Sequence, residues 1–241
     1  MPSPEPAEHP RHAHLVGLLT FTSGGVDAVT LMVIGGAFTS VITGNMIFIG
    51  RAAGTSSLNP ALHAVMAVLG YIAGVAAGAR LRQRLTPRSP QADWPRSATL
   101  VLVAEALILA AVNIAWICYD AAPPGAATDV LLAAAAVALG MQGAAARGIK
   151  GNPSTTYMTG ALTAVVEALA TGRHRSADPA SVAGLLTLVA GAAVSAVLVE
   201  HVPQTALLPP LASLLFVVLI KLRDHQTEQP GDAPPGRLSP R

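Results

Sequence analysis

The sequence predicts an all-α integral membrane protein, with six transmembrane helices forming two inverted three-helix repeats, each carrying a broken or re-entrant Thr-Gly segment. Three observations point there. Mean hydropathy is +0.53, with 52% hydrophobic and 12% charged residues, against roughly 25% charged in soluble domains. A Thr-rich motif recurs at a fixed shift. The basic residues gather on one side of the apolar runs when six of these are counted as spans.

Residues 1–14 and 223–241 are Pro-rich and polar, without apolar periodicity. They are expected as disordered tails around a single membrane domain, 15–222. His9, His12 and His14 read as a solvated cluster, since no second shell for a metal is in view. The apolar runs 15–36, 62–81, 98–119, 126–146 and 180–199 have roughly the 17 to 25 residues a spanning helix needs. The first contains Asp27 and lacks a small-residue cleavage site, so it is expected to remain as a helix. The sixth, 207–222, is shorter, and Pro209 and Pro210 predict a kinked start. His63 is expected near the interface. Gly70, Gly74 and Gly78, loosely echoed by Gly191 and Ser195, read as a helix-packing stripe.

The repeat relates 15–119 to 126–222. Thr39-Ser40-Val41-Ile42-Thr43-Gly44-Asn45 recurs as Thr155-Thr156-Tyr157-Met158-Thr159-Gly160-Ala161, a shift of 116 that also aligns Gly24 with Gly140, Gly35 with Gly151 and Thr55 with Thr171. The collinear order and the Thr residues carry more weight than Ala and Gly matches in so apolar a chain.

Whether the motif segments cross the membrane is a question of charge. With six spans and Arg80, Arg82, Arg84, Arg88 and Arg96 inside, only Arg51 of 15 basic residues is left outside. With eight spans the division is seven in and eight out, which the positive-inside tendency disfavours. Seven spans, with only the first segment crossing, moves just Arg11 and remains an alternative, but breaks the equivalence of the repeats. Three spans per repeat force opposite orientations, the architecture of many secondary transporters. Both termini are then cytoplasmic.

Thr43-Gly44 and Thr159-Gly160 are placed to start two half-helices, 45–54 and 161–171. A Thr hydroxyl accepts from backbone N–H groups, and glycine allows a close turn. Two positive helix ends pointing into the bundle would make a site for an anion or carboxylate; the bland reading is tight helix crossing. Asp27 stands out because an acid at membrane depth costs about 2.5 to 3.5 kcal/mol on insertion scales. Thr20, Ser23, Gly24, Asp27 and Thr30 share one helix face, which should point inward. Asp27 reads as a coupling group or as a cap. Asn45 and Gln142 complete the proposed site with Thr43, Gly44, Thr159 and Gly160. Glu105, Asn113 and Glu167 are further polar groups at membrane depth, Glu167 within reach of pairing with Arg173 and Arg175.

Gly24-Gly25-Val26-Asp27-Ala28, then Phe38 and Thr43-Gly44-Asn45, with Gly140-Met141-Gln142 and Thr159-Gly160 in the second half, resembles the YoaK family of bacterial inner-membrane proteins, which carry a domain of unknown function. The similarity spans about 15–222. Asn often follows the Gln in that family, whereas Gly143 stands here. The resemblance implies a multi-span protein of the bacterial inner membrane and supplies no substrate.

The chain shows no His-Glu-x-x-His pair, phosphate-cradling loop or nucleophile elbow, so no enzyme activity and no cofactor are expected. Its one cysteine, Cys118, excludes an internal disulfide framework. The lipid bilayer is the expected partner, nucleic acid is not, and an oligomer is compatible with the sequence. The leading function is a small-solute secondary transporter; the alternative is a non-transporting membrane scaffold or sensor.

Overall fold

The computed structural model describes residues 10–55, 58–86, 93–150, 158–172 and 179–227. These form α1 (Pro10–Val33), α2 (Ile42–Thr55), α3 (Leu58–Leu85), α4 (Arg96–Cys118), α5 (Gly125–Ala146), α6 (Met158–Ala170), α7 (Pro179–His201) and α8 (Leu208–Thr227), with a 3-10 turn at Pro203–Thr205. No strand occurs among the described residues. Six helices, α1, α3, α4, α5, α7 and α8, are long and apolar enough to cross a membrane. The other two, α2 and α6, have 14 and 13 residues. At 1.5 Å per residue they reach only about 20 Å, short of a hydrocarbon core of about 30 Å.

Two helix ends depart from the expected tails. α1 begins at Pro10 and α8 continues to Thr227, because interhelical contacts hold these polar turns at one end of the bundle. The His12 ring packs on Trp94 with centroids 5.7 Å apart. Lys221 lies 4.9 Å from the centre of the same indole, and His225 Nε2 is 3.1 Å from Thr99 Oγ1. His12 is therefore a packing residue, while His9 and the rest of both tails lie outside the described residues. Pro209 and Pro210 sit in the first turn of α8, where a missing N–H is harmless. The irregular start falls instead at the preceding 3-10 turn.

The bundle is built on two close parallel pairs. Gly17 faces Thr187 and Gly25 faces Ser195, so α1 runs along α7; Gly70 faces Ala133 and Gly78 faces Met141, so α3 runs along α5. Glycine is required at these crossings because the partner backbone occupies the space of a side chain. A Cβ at Gly24 would lie 2.2 Å from the Leu188 carbonyl oxygen, and one at Gly191 would lie 2.2 Å from that of Phe21. At the other crossing, a Cβ at Gly74 would lie 2.1 Å from the Val137 oxygen and one at Gly140 would lie 2.3 Å from that of Tyr71. The stripe noted in the sequence is thus half of each contact.

Between the pairs, α1 meets α5 in antiparallel sense, with Gln142 reaching Leu19 and Leu132 reaching Gly35. α4 packs on α5 and α8 and is tied to the distal turn by Trp116 Nε1 donating to the Pro203 carbonyl at 2.8 Å. Leu19, Val26, Leu102, Trp116, Leu132, Leu139 and Leu214 fill the core where these helices converge. The outer faces of α3 and α7 expose Leu69, Ile72, Leu186 and Val189, a surface suited to lipid rather than water.

Candidate functional site

The inward face of α1 is polar and nearly sealed: Thr20, Thr22, Ser23, Asp27 and Thr30 are all buried. Most of these hydroxyls are satisfied locally, as helix-interior Ser and Thr often are. Thr20 donates to the Val16 carbonyl at 3.0 Å, and Thr22 to those of Leu18 and Pro210, each at 3.1 Å. Asp27 has no such local solution and takes its partners from the segment that follows.

After Val33 the chain reverses through Gly35 and Gly36, whose φ values of 84° and 65° lie in the left-handed region that glycine adopts without strain. Ile34 and Ala37 then pack into the core. This reversal carries Thr39 and Ser40 back beside Asp27, about 9 Å along α1 from its end. Asp27 Oδ1 accepts from Thr39 N at 2.6 Å, Thr39 Oγ1 at 2.7 Å and Ser40 N at 2.9 Å, and Oδ2 accepts from Ser40 Oγ. Two residues later α2 begins, so the acid also faces the positive end of a helix.

Asn45 closes the same segment. Its Oδ1 accepts from Phe38 N at 3.0 Å and its Nδ2 donates to Phe38 O at 2.6 Å, pairing with the backbone as a neighbouring strand would. Gly44 lies under the Phe38 ring, 3.2 Å from where its Cβ would stand. Thr43 is exposed. Thr43 does not hold the start of the helix; Asp27, acting from another helix, instead holds Thr39 and Ser40 in the turn that precedes it. The helix starts at Ile42 rather than Asn45.

The other expected members lie apart. Gln142 on α5 donates through Nε2 to the Leu19 carbonyl at 2.9 Å and to Ser23 Oγ at 2.8 Å. That places it one turn of α1 from Asp27. Thr159 and Gly160 are exposed in the first turn of α6, and Glu167 is exposed further along. α2 packs on α3 while α6 packs on α7, so the two Thr-Gly segments do not build a shared site in this conformation. Thr155, Thr156, Arg173 and Arg175 lie outside the described residues. Asp27 itself has Gly143 at the position shifted by 116.

A second buried acid stands on α4. Glu105 is fully buried, and neither carboxyl oxygen has a hydrogen-bond partner among the described residues. It lies two residues from the middle of the span Arg96–Cys118. Asn113 Oδ1, Gln142 Oε1 and Ser195 Oγ are likewise buried without partners. Sequence reasoning named Glu105 and Asn113 as deep polar groups but left both out of the site, along with Thr39, Ser40 and Ser195. For Thr39 and Ser40 a signal existed, the recurrence of a hydroxyl pair at Thr155 and Thr156. Among the described residues no three His, Cys, Asp or Glu side chains converge as metal ligands.

Residues 15–220 match the family described as a protein of unknown function, DUF1275. The chain is also similar to the UPF0700 transmembrane protein YoaK of Bacillus subtilis (strain 168), at 29% identity over 155 residues. That alignment covers 64% of this chain and 65% of the relative, less than two thirds of the relative's length. The resemblance read from the Gly24 to Asn45 and Gly140 to Gly160 motifs holds at this level. No solved structure matches.

Proposed function

The chain belongs to DUF1275, a family of proteins of unknown function, and we propose that it is a secondary transporter of a small solute in the bacterial inner membrane, with both termini cytoplasmic. The observation that carries the reading is Glu105, an acid near the middle of a spanning helix with no partner. An ionisable group so placed must be relieved by a proton, a cation or water admitted in another conformation. That requirement is what coupling to transport supplies. Glu105 is the coupling carboxyl, and Asp27, saturated by four donors, is the latch that holds the re-entrant segment closed.

We read the two halves as inverted repeats, an architecture of many secondary transporters. Gly24 and Phe21 on α1 correspond to Gly140 and Val137 on α5 by a shift of 116; Tyr71 and Gly74 on α3 correspond to Leu188 and Gly191 on α7 by a shift of 117. The same backbone contacts join both pairs, and the corresponding helices α1 and α5 are antiparallel. Two equivalent, closely packed crossings are suited to rocking as rigid units. The Thr43-Gly44 and Thr159-Gly160 segments act in this scheme as moving parts rather than as walls of a joint site.

The chemistry argues against the anion expected from facing helix ends, because the carboxylate of Asp27 already occupies the Thr39 and Ser40 donors just before α2. What remains unfilled inside the bundle is mainly acceptor capacity on Glu105, Asn113 and Gln142. The solute is accordingly one that donates hydrogen bonds, such as an amine, amide or polyol. A panel of such solutes and of carboxylates, screened for thermal stabilisation of purified protein at acid and alkaline pH, tests this. A bound solute at about a hundredfold excess over its Kd adds about 2.7 kcal/mol of stability. We expect a pH-dependent hit that becomes pH-independent in Glu105→Gln. A pH dependence that survives in folded Glu105→Gln removes Glu105 from coupling, and no hit at all favours the scaffold or sensor.

A further inference from the structure

We infer that a cavity at the basic end of the bundle binds a phosphate group, carried by an anionic lipid headgroup or by free phosphate. It has a volume of about 670 Å³ and opens between the ends of α3, α4 and α5, lined by Arg82, Gln83, Thr86, Ser97, Arg147 and Lys150 among others. The inference stands apart from the transport reading, since none of these residues belongs to the buried network around Asp27 or to Glu105.

Basic residues at a helix end are ordinary in a membrane protein, where topology alone explains them. What sets these apart is convergence and preparation. Three cations from two distant parts of the sequence line one concavity, and no carboxylate lines it among the described residues. The nearby acid, Asp93, is 3.6 Å from Lys150, and both side chains are largely exposed. Arg82 is held in place, with its guanidinium donating to the Ala144 carbonyl at 2.9 Å. Gly148 makes the room: a Cβ there would lie 2.6 Å from a guanidinium nitrogen of Arg82. Arg147 is exposed, and its side chain has no hydrogen bond or ion pair among the described residues. One guanidinium is thus anchored at the cavity and a second is unengaged, with an ammonium and two hydroxyls alongside.

That donor set matches phosphate. Guanidinium groups present paired N–H donors to its oxygens, and the Ser97 hydroxyl, which accepts from Thr86 at 3.2 Å, can serve a remaining lone pair. Depth points the same way, because Arg82 lies in the last turn of α3, where a spanning helix meets the headgroup layer. Basic pockets between spanning helices at that level recognise anionic headgroups. The volume falls in the range of small-ligand sites, about 300 to 1,000 Å³.

The test uses the full chain in detergent. Melting is followed with added phosphatidylglycerol, with phosphatidylcholine as the neutral control, and separately with inorganic phosphate. Wild type should be stabilised by phosphatidylglycerol over phosphatidylcholine if the group arrives on a lipid, or by inorganic phosphate alone if it is soluble. Arg147→Gln, which breaks no contact within the protein, should weaken that binding by on the order of tenfold, the loss of one charge-assisted hydrogen bond. Gly148→Ala should weaken it by displacing Arg82. Arg84→Gln, an equal loss of charge outside the cavity, should leave it unchanged. If neither ligand stabilises wild type, or if Arg84→Gln weakens binding as much as Arg147→Gln, the inference is wrong.

Discussion

Asp27 Oδ1 and Oδ2 together accept four hydrogen bonds from Thr39 and Ser40, while Glu105, similarly buried, accepts none among the described residues. The difference assigns them separate measurements. Asp27→Asn keeps the shape but replaces one acceptor oxygen with a donor and removes the charge that strengthens the rest. It should lower stability by about 1 to 3 kcal/mol, more than Thr39→Val, and should raise amide hydrogen exchange across 34–41. An Asp27→Asn protein that melts no lower than wild type would show that the latch does not hold the segment. Glu105→Gln breaks no hydrogen bond seen here, so it should melt close to wild type while losing the pH response of solute binding. A large drop in its melting temperature would mean that the carboxyl has a structural partner.

At the level of helices, the crossings and the short segments behave differently toward the same substitution. Gly140→Ala pushes a methyl group into the Tyr71 carbonyl and Gly24→Ala into that of Leu188. Each must separate two helices that otherwise touch along their length, and overpacking of this kind costs typically 1 to 3 kcal/mol or more. Gly50, on α2, has open space around it. Gly50→Ala should stabilise by about 0.5 to 1 kcal/mol through helix propensity alone. Melting curves of the three variants check both signs at once, and a Gly24→Ala protein as stable as Gly50→Ala would contradict the close crossing.

For the whole molecule, the distribution of charge and apolar surface predicts orientation. The end where α3, α5 and α8 finish carries Arg82, Arg84, Arg147, Lys150, Lys221 and Arg223, whereas the opposite end has Arg51 among the described residues. In a Cys118→Ala background, a cysteine at Ala122 should therefore label from outside the cell and one at Thr227 should not. A cysteine at Thr171, just past α6, should also be protected. External labelling there would mean that α6 crosses after all, and the six-span arrangement would fall.

The six apolar helices and the membrane class were legible in the chain, because apolar length and basic-residue placement are local properties that the bilayer enforces on any fold. The depth and inward face of Asp27 were legible for the same reason, since an acid within an apolar run has to face protein. Its partners were not. Thr39 and Ser40 reach it only because Gly35 and Gly36 fold the chain back, and no periodicity reports where a reversed segment will land. Where the two Thr-Gly segments lie was not legible for a related reason: equivalent sequence positions need not meet in space, and α2 and α6 pack on different helices. Likewise, Arg82 is far in sequence from Arg147 and Gly148, and only the register of α3 against α5, set by glycines that admit backbone contact, brings them to one cavity.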